Sequence, residues 1–81
     1  MKKILVNLGF NNVVVADRIV AVVSAGAAPI RRLKEAARRT DRLIDATNGR
    51  RTRTVVITDS NHIILSSAQP ETITERMKRK K

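Results

Sequence analysis

The sequence predicts an α+β fold: one small domain with a mainly antiparallel sheet and two helices. Three observations carry that expectation. Apolar residues alternate with a period of two near the start, recur at helical spacing over residues 30–39, and return as β-branched runs between residues 50 and 67. Eighty-one residues suit one core rather than two. Hydrophobic residues make up 42% of the chain and Phe10 is its single aromatic, so the interior must be aliphatic. A domain of this size buries only about 60% of its extended-chain surface, and self-association would supply further burial.

Each element follows from the residues. Over residues 3–10, Ile4, Val6, Leu8 and Phe10 share one face and Lys3, Asn7 and Gly9 the other, the pattern of a half-buried strand. Gly9 and Asn11–Asn12 offer bends before Val13–Ala16. Asp17 and Arg18 interrupt that run, and Ile19–Val23, five successive apolar residues rich in β-branching, reads as a central strand. Ser24–Ala28 is a small-residue connection, and Pro29 suits the first turn of a helix. In that helix Ile30, Leu33 and Ala37 make an apolar stripe, with Arg31, Lys34, Glu35, Arg38 and Arg39 on the opposite arc. Glu35 is spaced to pair with both Arg31 and Arg39, each pair contributing ~0.2–0.5 kcal/mol.

Leu43–Thr47 and Arg50–Ile57 flank Asn48–Gly49, a dipeptide that favours a hairpin because both positions tolerate positive φ. That register sets Thr47 opposite Arg50, Ala46 opposite Arg51 and Asp45 opposite Thr52, with a diagonal Asp45–Arg50 ion pair. Asp59–Asn61 forms the next turn and His62–Ser67 the returning strand. Pro70 opens a short helix to about Met77, with Glu71 near its positive end. The domain is expected over residues 1–78, with a fraying basic tail at 79–81.

The formal charge of +10 is the largest functional clue, since it attracts polyanions without fixing a binding mode. Residues 28–54 hold nine Lys or Arg against three acids, and residues 76–81 add five more cations. Arg50, Arg51 and Arg53 beside a tight turn suit phosphate, because planar guanidinium groups stay charged and offer several donors. A solvated charge run or subunit ion pairing are the competing explanations. Arg18, beside Asp17 at the mouth of a strand, fits a structural ion pair at least as well as a phosphate contact. For Arg31, Arg32, Arg38 and Arg39 an exposed helix face is the simpler reading.

Other chemistries find little support. There is no cysteine, so disulfides and thiolate catalysis are excluded, and His62 has no recognisable catalytic or metal-ligating partners. Neither GxxxxGK[ST] nor GxGxxG occurs. The expectation is a non-enzymatic protein without cofactor, metal or small-molecule substrate. Phe10 is placed like a core residue, so no aromatic platform for single strands is evident, which favours duplex DNA over RNA as partner. The opening MKKILVNLGF is a poor signal peptide and too short to span a bilayer, and the basic helix lacks a bulky insertion face. A cytoplasmic protein is expected.

On these same residues the chain resembles the small bacterial regulator-of-extracellular-matrix family, RemA. The resemblance runs through NLGFNNVV at 7–14, DRIVAVVS at 17–24, APIRRLKEA at 28–36, LIDATNGRRTRTVVITDSNHIILSSAQPET across 43–72 and ERM at 75–77. It implies a DNA-binding transcriptional regulator linked to biofilm matrix genes, assembled as a closed ring of subunits whose protomer is similar to the LytTR DNA-binding fold. It also implies that Arg18, Arg50 and Arg51 contact DNA, with Arg53 in a supporting or contact role. A structured-RNA-binding protein and a non-enzymatic structural oligomer are the alternatives. The sequence departs from the family at Asn48, where an aromatic is common, at Asp41, where glycine is common, and at Lys34, a position often more apolar.

Overall fold

The computed structural model describes residues 4–26 and 28–78. An antiparallel ribbon comes first, β1 (Leu5–Gly9) and β2 (Asn12–Val15), followed by a 3-10 turn at Ala16–Arg18 and β3 (Ile19–Ser24). Then come α1 (Ala28–Arg39), β4 (Leu43–Asp45), β5 (Thr54–Thr58), β6 (Ile63–Ser66) and α2 (Pro70–Met77). The last four strands form a sheet in the order β3-β5-β6-β4, antiparallel except where β4 runs parallel to β6. The α+β class with two helices and mostly antiparallel pairing is therefore as expected. The expected tail at 79–81 lies outside the described residues.

Successive residues of β5 and β6 are buried on both faces of the sheet, which makes these the central strands. Val55, Ile63 and Leu65 pack with Ala37, Ile30 and Leu33 of α1. Val56 and Ile64 face the other way, against Val6 and Leu8 of β1 and Ile73 of α2. The layers are thus α1, the four-stranded sheet, and a second cover made by the ribbon and α2. Buried polar side chains stitch these layers. Ser66 Oγ donates to Leu8 O at 3.0 Å and Thr54 Oγ1 donates to Ala68 O at 2.6 Å.

Three local expectations are corrected. Ile19–Ser24 is an edge strand, not a central one; a bulge between Ile19 and Ala21 leaves Val20 66% exposed. Asn48 and Gly49 do take positive φ, 54° and 81°, and Arg50 N donates to Thr47 O at 3.0 Å. Their flanking arms nevertheless form no hairpin. Ala46 N donates to Leu65 O and Arg53 N to Ser66 O, so the arms lie on opposite sides of β6. The doubly apolar β5 and β6 pair through the short turn at Asp59–His62, and the three-residue β4 is left the outer edge. Glu35, thirdly, approaches Arg38 at 4.0 Å, across an exposed i,i+3 pair, rather than Arg31 or Arg39.

α1 closes on a left-handed residue that is not glycine. Arg42 N donates to Ala37 O at 2.8 Å and Asp41 sits at φ 59°, the left-handed residue of a Schellman closure. An L-residue in that region costs roughly 1–2 kcal/mol relative to glycine. Asp41→Gly is therefore expected to stabilise the fold by about 1 kcal/mol, and Gly49→Ala to destabilise it by a similar amount. Space is open around the Gly49 Cβ position, so its cost arises in the backbone alone. Urea unfolding of the two variants checks both signs.

Candidate nucleic-acid interface

Strand directions sort the charged residues into two groups at opposite ends of the sheet. β3, β4 and β6 all finish at the end where Thr54 begins β5, because Ser24 and Ser66 both pair with Thr54 and Asp45 pairs with Leu65. Both helices start from this end, and the segment 46–53 crosses it. The Ser66–Leu8 bond brings the tip of the β1–β2 ribbon there as well. Arg50, Arg51 and Arg53 are all exposed, and with Phe10, Gly49 and Ser67 they line an open recess of about 610 Å³. Arg51 and Arg53 also border a second recess of about 310 Å³ beside Ser24–Gly26 and Gln69, the segments that lead into α1 and α2.

The backbone under this cluster is tied down. Asp45 Oδ1 accepts from Thr47 Oγ1 at 2.6 Å and from Thr47 N at 2.9 Å. These two bonds hold the Asp45 carboxyl below its ordinary value, with Arg38 and Lys34 adding attraction and partial burial opposing it. The expected Asp45–Arg50 ion pair is therefore absent, since the carboxylate caps its own turn. Among the described residues none of Arg50, Arg51 and Arg53 is paired with a carboxylate. Thr52, between two exposed arginines, is half-buried, so the guanidinium groups project from alternate positions of one extended segment.

Phe10 is not in the core. It sits 45% exposed at the tip of the ribbon, in a two-residue turn with φ 53° at Phe10 and 67° at Asn11. Asn7 Oδ1 accepts from Gly9 N at 2.7 Å, and Asn12 Nδ2 donates to Gly9 O at 3.0 Å. Arg76 of α2 reaches back to donate to Asn7 O at 2.5 Å. The phenyl ring lies 5.5 Å from the Arg50 guanidinium carbon, a cation–π contact that contributes about 0.5–1 kcal/mol at an exposed site. Alternation through residues 3–10 had assigned Phe10 to the buried face. The adjacent GFNN turn signal, which ends the strand at Gly9, was the clue that outweighs it.

Arg18 lies at the other end. Asp59 N donates to Arg18 O, and Arg18 Nε donates to Asp59 Oδ1 at 2.8 Å and Oδ2 at 3.0 Å. The carboxylate comes from the turn after β5, which sequence proximity to Asp17 did not suggest. Arg18 is level with Asp59, and the five residues of β5 lie between Asp59 and Arg53, six strand steps or about 20 Å. One chain thus brings Arg50, Arg51 and Arg53 together and leaves Arg18 apart. His62 is half-buried, with Nδ1 2.8 Å from Ser60 Oγ. Among the described residues no three His, Cys, Asp or Glu side chains gather as a metal site. No described helix is long and apolar enough to cross a membrane.

Comparison with known proteins converges on one family. Residues 5–77 match the RemA-like family, described as extracellular matrix regulatory protein A-like. A protein of Kosmotoga olearia is 58% identical over 72 residues, covering 89% of this chain and 73% of its own. One of Syntrophobacter fumaroxidans is 58% identical over 73 residues, covering 90% and 78%. One of Thermosipho melanesiensis is 60% identical over 72 residues, covering 89% and 77%. All three bear the same provisional name, regulatory protein.

The Asp45 turn generates a prediction with a definite sign. A carboxyl whose folded pKa is lowered stabilises the fold above the ordinary carboxylate range, and that stabilisation is lost as pH falls through the folded value. Thr47→Val removes the shorter of the two bonds and is expected to cost about 1 kcal/mol near neutrality. The difference from the parent protein should shrink as the pH drops below 3.8, the ordinary Asp value. Thermal melts of both proteins between pH 2.5 and 7, with pH as the only variable, test this.

Proposed function

The chain belongs to the RemA-like family of extracellular matrix regulatory protein A-like proteins, and from that premise we propose that it is a non-enzymatic regulator that binds duplex DNA as an oligomer. The family match and the names of its relatives support the regulatory role. The observation that carries the DNA reading is the exposed triad Arg50, Arg51 and Arg53, fixed on a braced turn with no carboxylate partner among the described residues. Guanidinium groups held this way need little ordering when phosphate arrives. Both helices begin at the same end, and their N-terminal dipoles add favourable potential for an anion.

Affinity in this reading comes from phosphate neutralisation and counterion release, so it falls steeply with salt. Sequence preference comes from the shape and deformability of the duplex, because the clustered guanidinium groups sit on an extended segment and suit phosphate. In this reading the targets are genes of extracellular matrix and biofilm formation in the nucleoid, and the active form is a closed ring; both rest on the family resemblance. The surface offers a physical reason for self-association. Among the described residues neither edge strand of the sheet, β3 nor β4, pairs with a further strand. Leu5, Val13 and Val20 are 61%, 56% and 66% exposed, and burying such side chains between copies is favourable. Repetition around an assembly would let Arg18 of one copy and Arg50 and Arg51 of another follow one backbone.

Fluorescence anisotropy with duplex DNA over a salt series tests the reading. Arg50→Ala and Arg51→Ala should each weaken binding without unfolding and lower the log–log salt slope by about one. Asp59→Asn should strengthen duplex binding at low salt by about two-fold or more, because Arg18 loses its competing carboxylate. Light scattering should give a mass that is a multiple of 9.0 kDa, alone and on DNA. A persistent monomer sinks the assembly. Tighter binding to structured RNA under matched conditions, or an intact oligomer that binds no nucleic acid, replaces this reading with the corresponding alternative.

A further inference from the structure

We propose that Phe10 is a DNA-contacting residue, an apolar wedge that packs against a deformable base step beside the phosphates held by Arg50 and Arg51. The inference rests on the duplex-binding reading and assigns it a second kind of contact, one without charge.

Neither burial nor backbone preference explains a phenyl group at this position. The ring is 45% exposed although it is the chain's only aromatic, and φ of 53° is a left-handed conformation that bulky residues rarely adopt. Local strain of this kind persists where surrounding structure fixes it, often at functional sites. Here the surroundings do fix it: the Asn7 and Asn12 side chains brace the turn and Arg76 anchors the strand behind it. The ring is therefore carried on a stiff two-residue tip.

The neighbours indicate the occupant. One edge of the recess is Phe10 and the rest is Gly49, Arg50, Arg51, Arg53 and Ser67. An uncharged ring beside three cations that have no carboxylate partner among the described residues suits a ligand that presents phosphate and apolar surface within a few ångströms. A duplex does so at each step, where sugar and base edge lie between successive phosphates. Proteins that bend DNA commonly press Phe or Leu side chains into steps that unstack easily, such as TA. Arg50, 5.5 Å from the ring, would brace it from the protein side.

Salt dependence separates this role from that of a phosphate contact. Removing a cation that neutralises phosphate lowers the salt slope, whereas removing an uncharged wedge lowers affinity at constant slope. The test compares the parent protein with Phe10→Ala, Phe10→Gly and Arg50→Ala. Glycine accommodates the left-handed φ and guards against misfolding as the cause. The probes are two duplexes of equal length, one with central TA steps and one a continuous A-tract, each with 2-aminopurine beside the central step. The parent should prefer the TA duplex and raise 2-aminopurine fluorescence on binding. Both Phe10 variants should bind that duplex about five-fold or more weaker with the same salt slope, lose the preference, and leave the fluorophore stacked.

Unchanged affinity and preference in the Phe10 variants overturn the wedge while leaving the arginine reading intact. A slope reduced by about one, as for Arg50→Ala, shows that the ring only positions Arg50 and likewise overturns it. If the parent protein binds neither duplex at any salt, the wedge and the DNA reading fall together.

Discussion

The placement of β6 between β5 and β4 decides where the cations go. Had the Asn48–Gly49 turn closed a simple hairpin, Arg50 and Arg51 would have been cross-strand neighbours of Thr47 and Ala46. Their side chains would then have alternated between two faces of a sheet. Instead β6 separates the two arms, so the segment 46–53 crosses the sheet end and its extended half presents Arg51 and Arg53 from alternate positions. The cause is hydrophobic. Val55, Val56, Ile63 and Ile64 need cover on both faces, which only central strands receive, and β4 has Ile44 46% exposed. Burial of four large side chains, each contributing roughly 1.5–3 kcal/mol, outweighs the local preference of one dipeptide.

This ordering also explains what was legible in the sequence. Elements whose signal is periodic appear where expected: the α1 stripe of Ile30, Leu33 and Ala37, the β6 run and the Pro70 helix start, while the strand expected from Arg50 begins only at Thr54. Turn residues were legible as turns, since Asn48, Gly49 and Asn61 all take positive φ. Pairing was not. Two strands joined by a favourable turn need not pair when a third, more apolar strand follows within a few residues. The edge position of β3 was hidden for a related reason: a β-branched run fits a centre, and the bulge that exposes Val20 has no signature in composition. The arginine cluster was visible as charge, and the structure adds its backbone support, a capped Asp45 turn and a braced ribbon tip. Asp59 and Phe10 were missed because their partners are remote in sequence, 41 residues away for Arg18 and 40 for Arg50.

The two ends of the sheet handle positive charge differently. At one end Arg18 is neutralised locally by Asp59, in an exposed pair of small net worth to stability. At the other, three guanidinium groups occur within four residues, and the nearest acid in sequence, Asp45, is engaged by Thr47. Mutual repulsion there is moderated only by solvent and salt, since all three are exposed. The carboxylate that could have neutralised Arg50 instead fixes the turn that displays it. Stability and charge display are thus drawn from the same short segment: the capped turn contributes to folding, and the charge it leaves unbalanced is open to solvent.

That division bears on assembly. A chain of formal charge +10 repels its copies at long range, so association requires short-range gain that exceeds the repulsion. The open strand edges and the outward Leu5, Val13 and Val20 are the available source, and none of these three residues lines the recess formed with Arg50, Arg51 and Arg53. A polyanion would change the balance, because neutralising the arginines removes the opposing term while leaving the apolar contact intact. Binding and self-association would then be coupled through linkage, each favouring the other without any change of protomer structure. High salt would weaken DNA binding and relax the repulsion between copies, so oligomer and DNA affinity should move in opposite directions with ionic strength. An assembly held by charge pairs between subunits would instead come apart as salt rose.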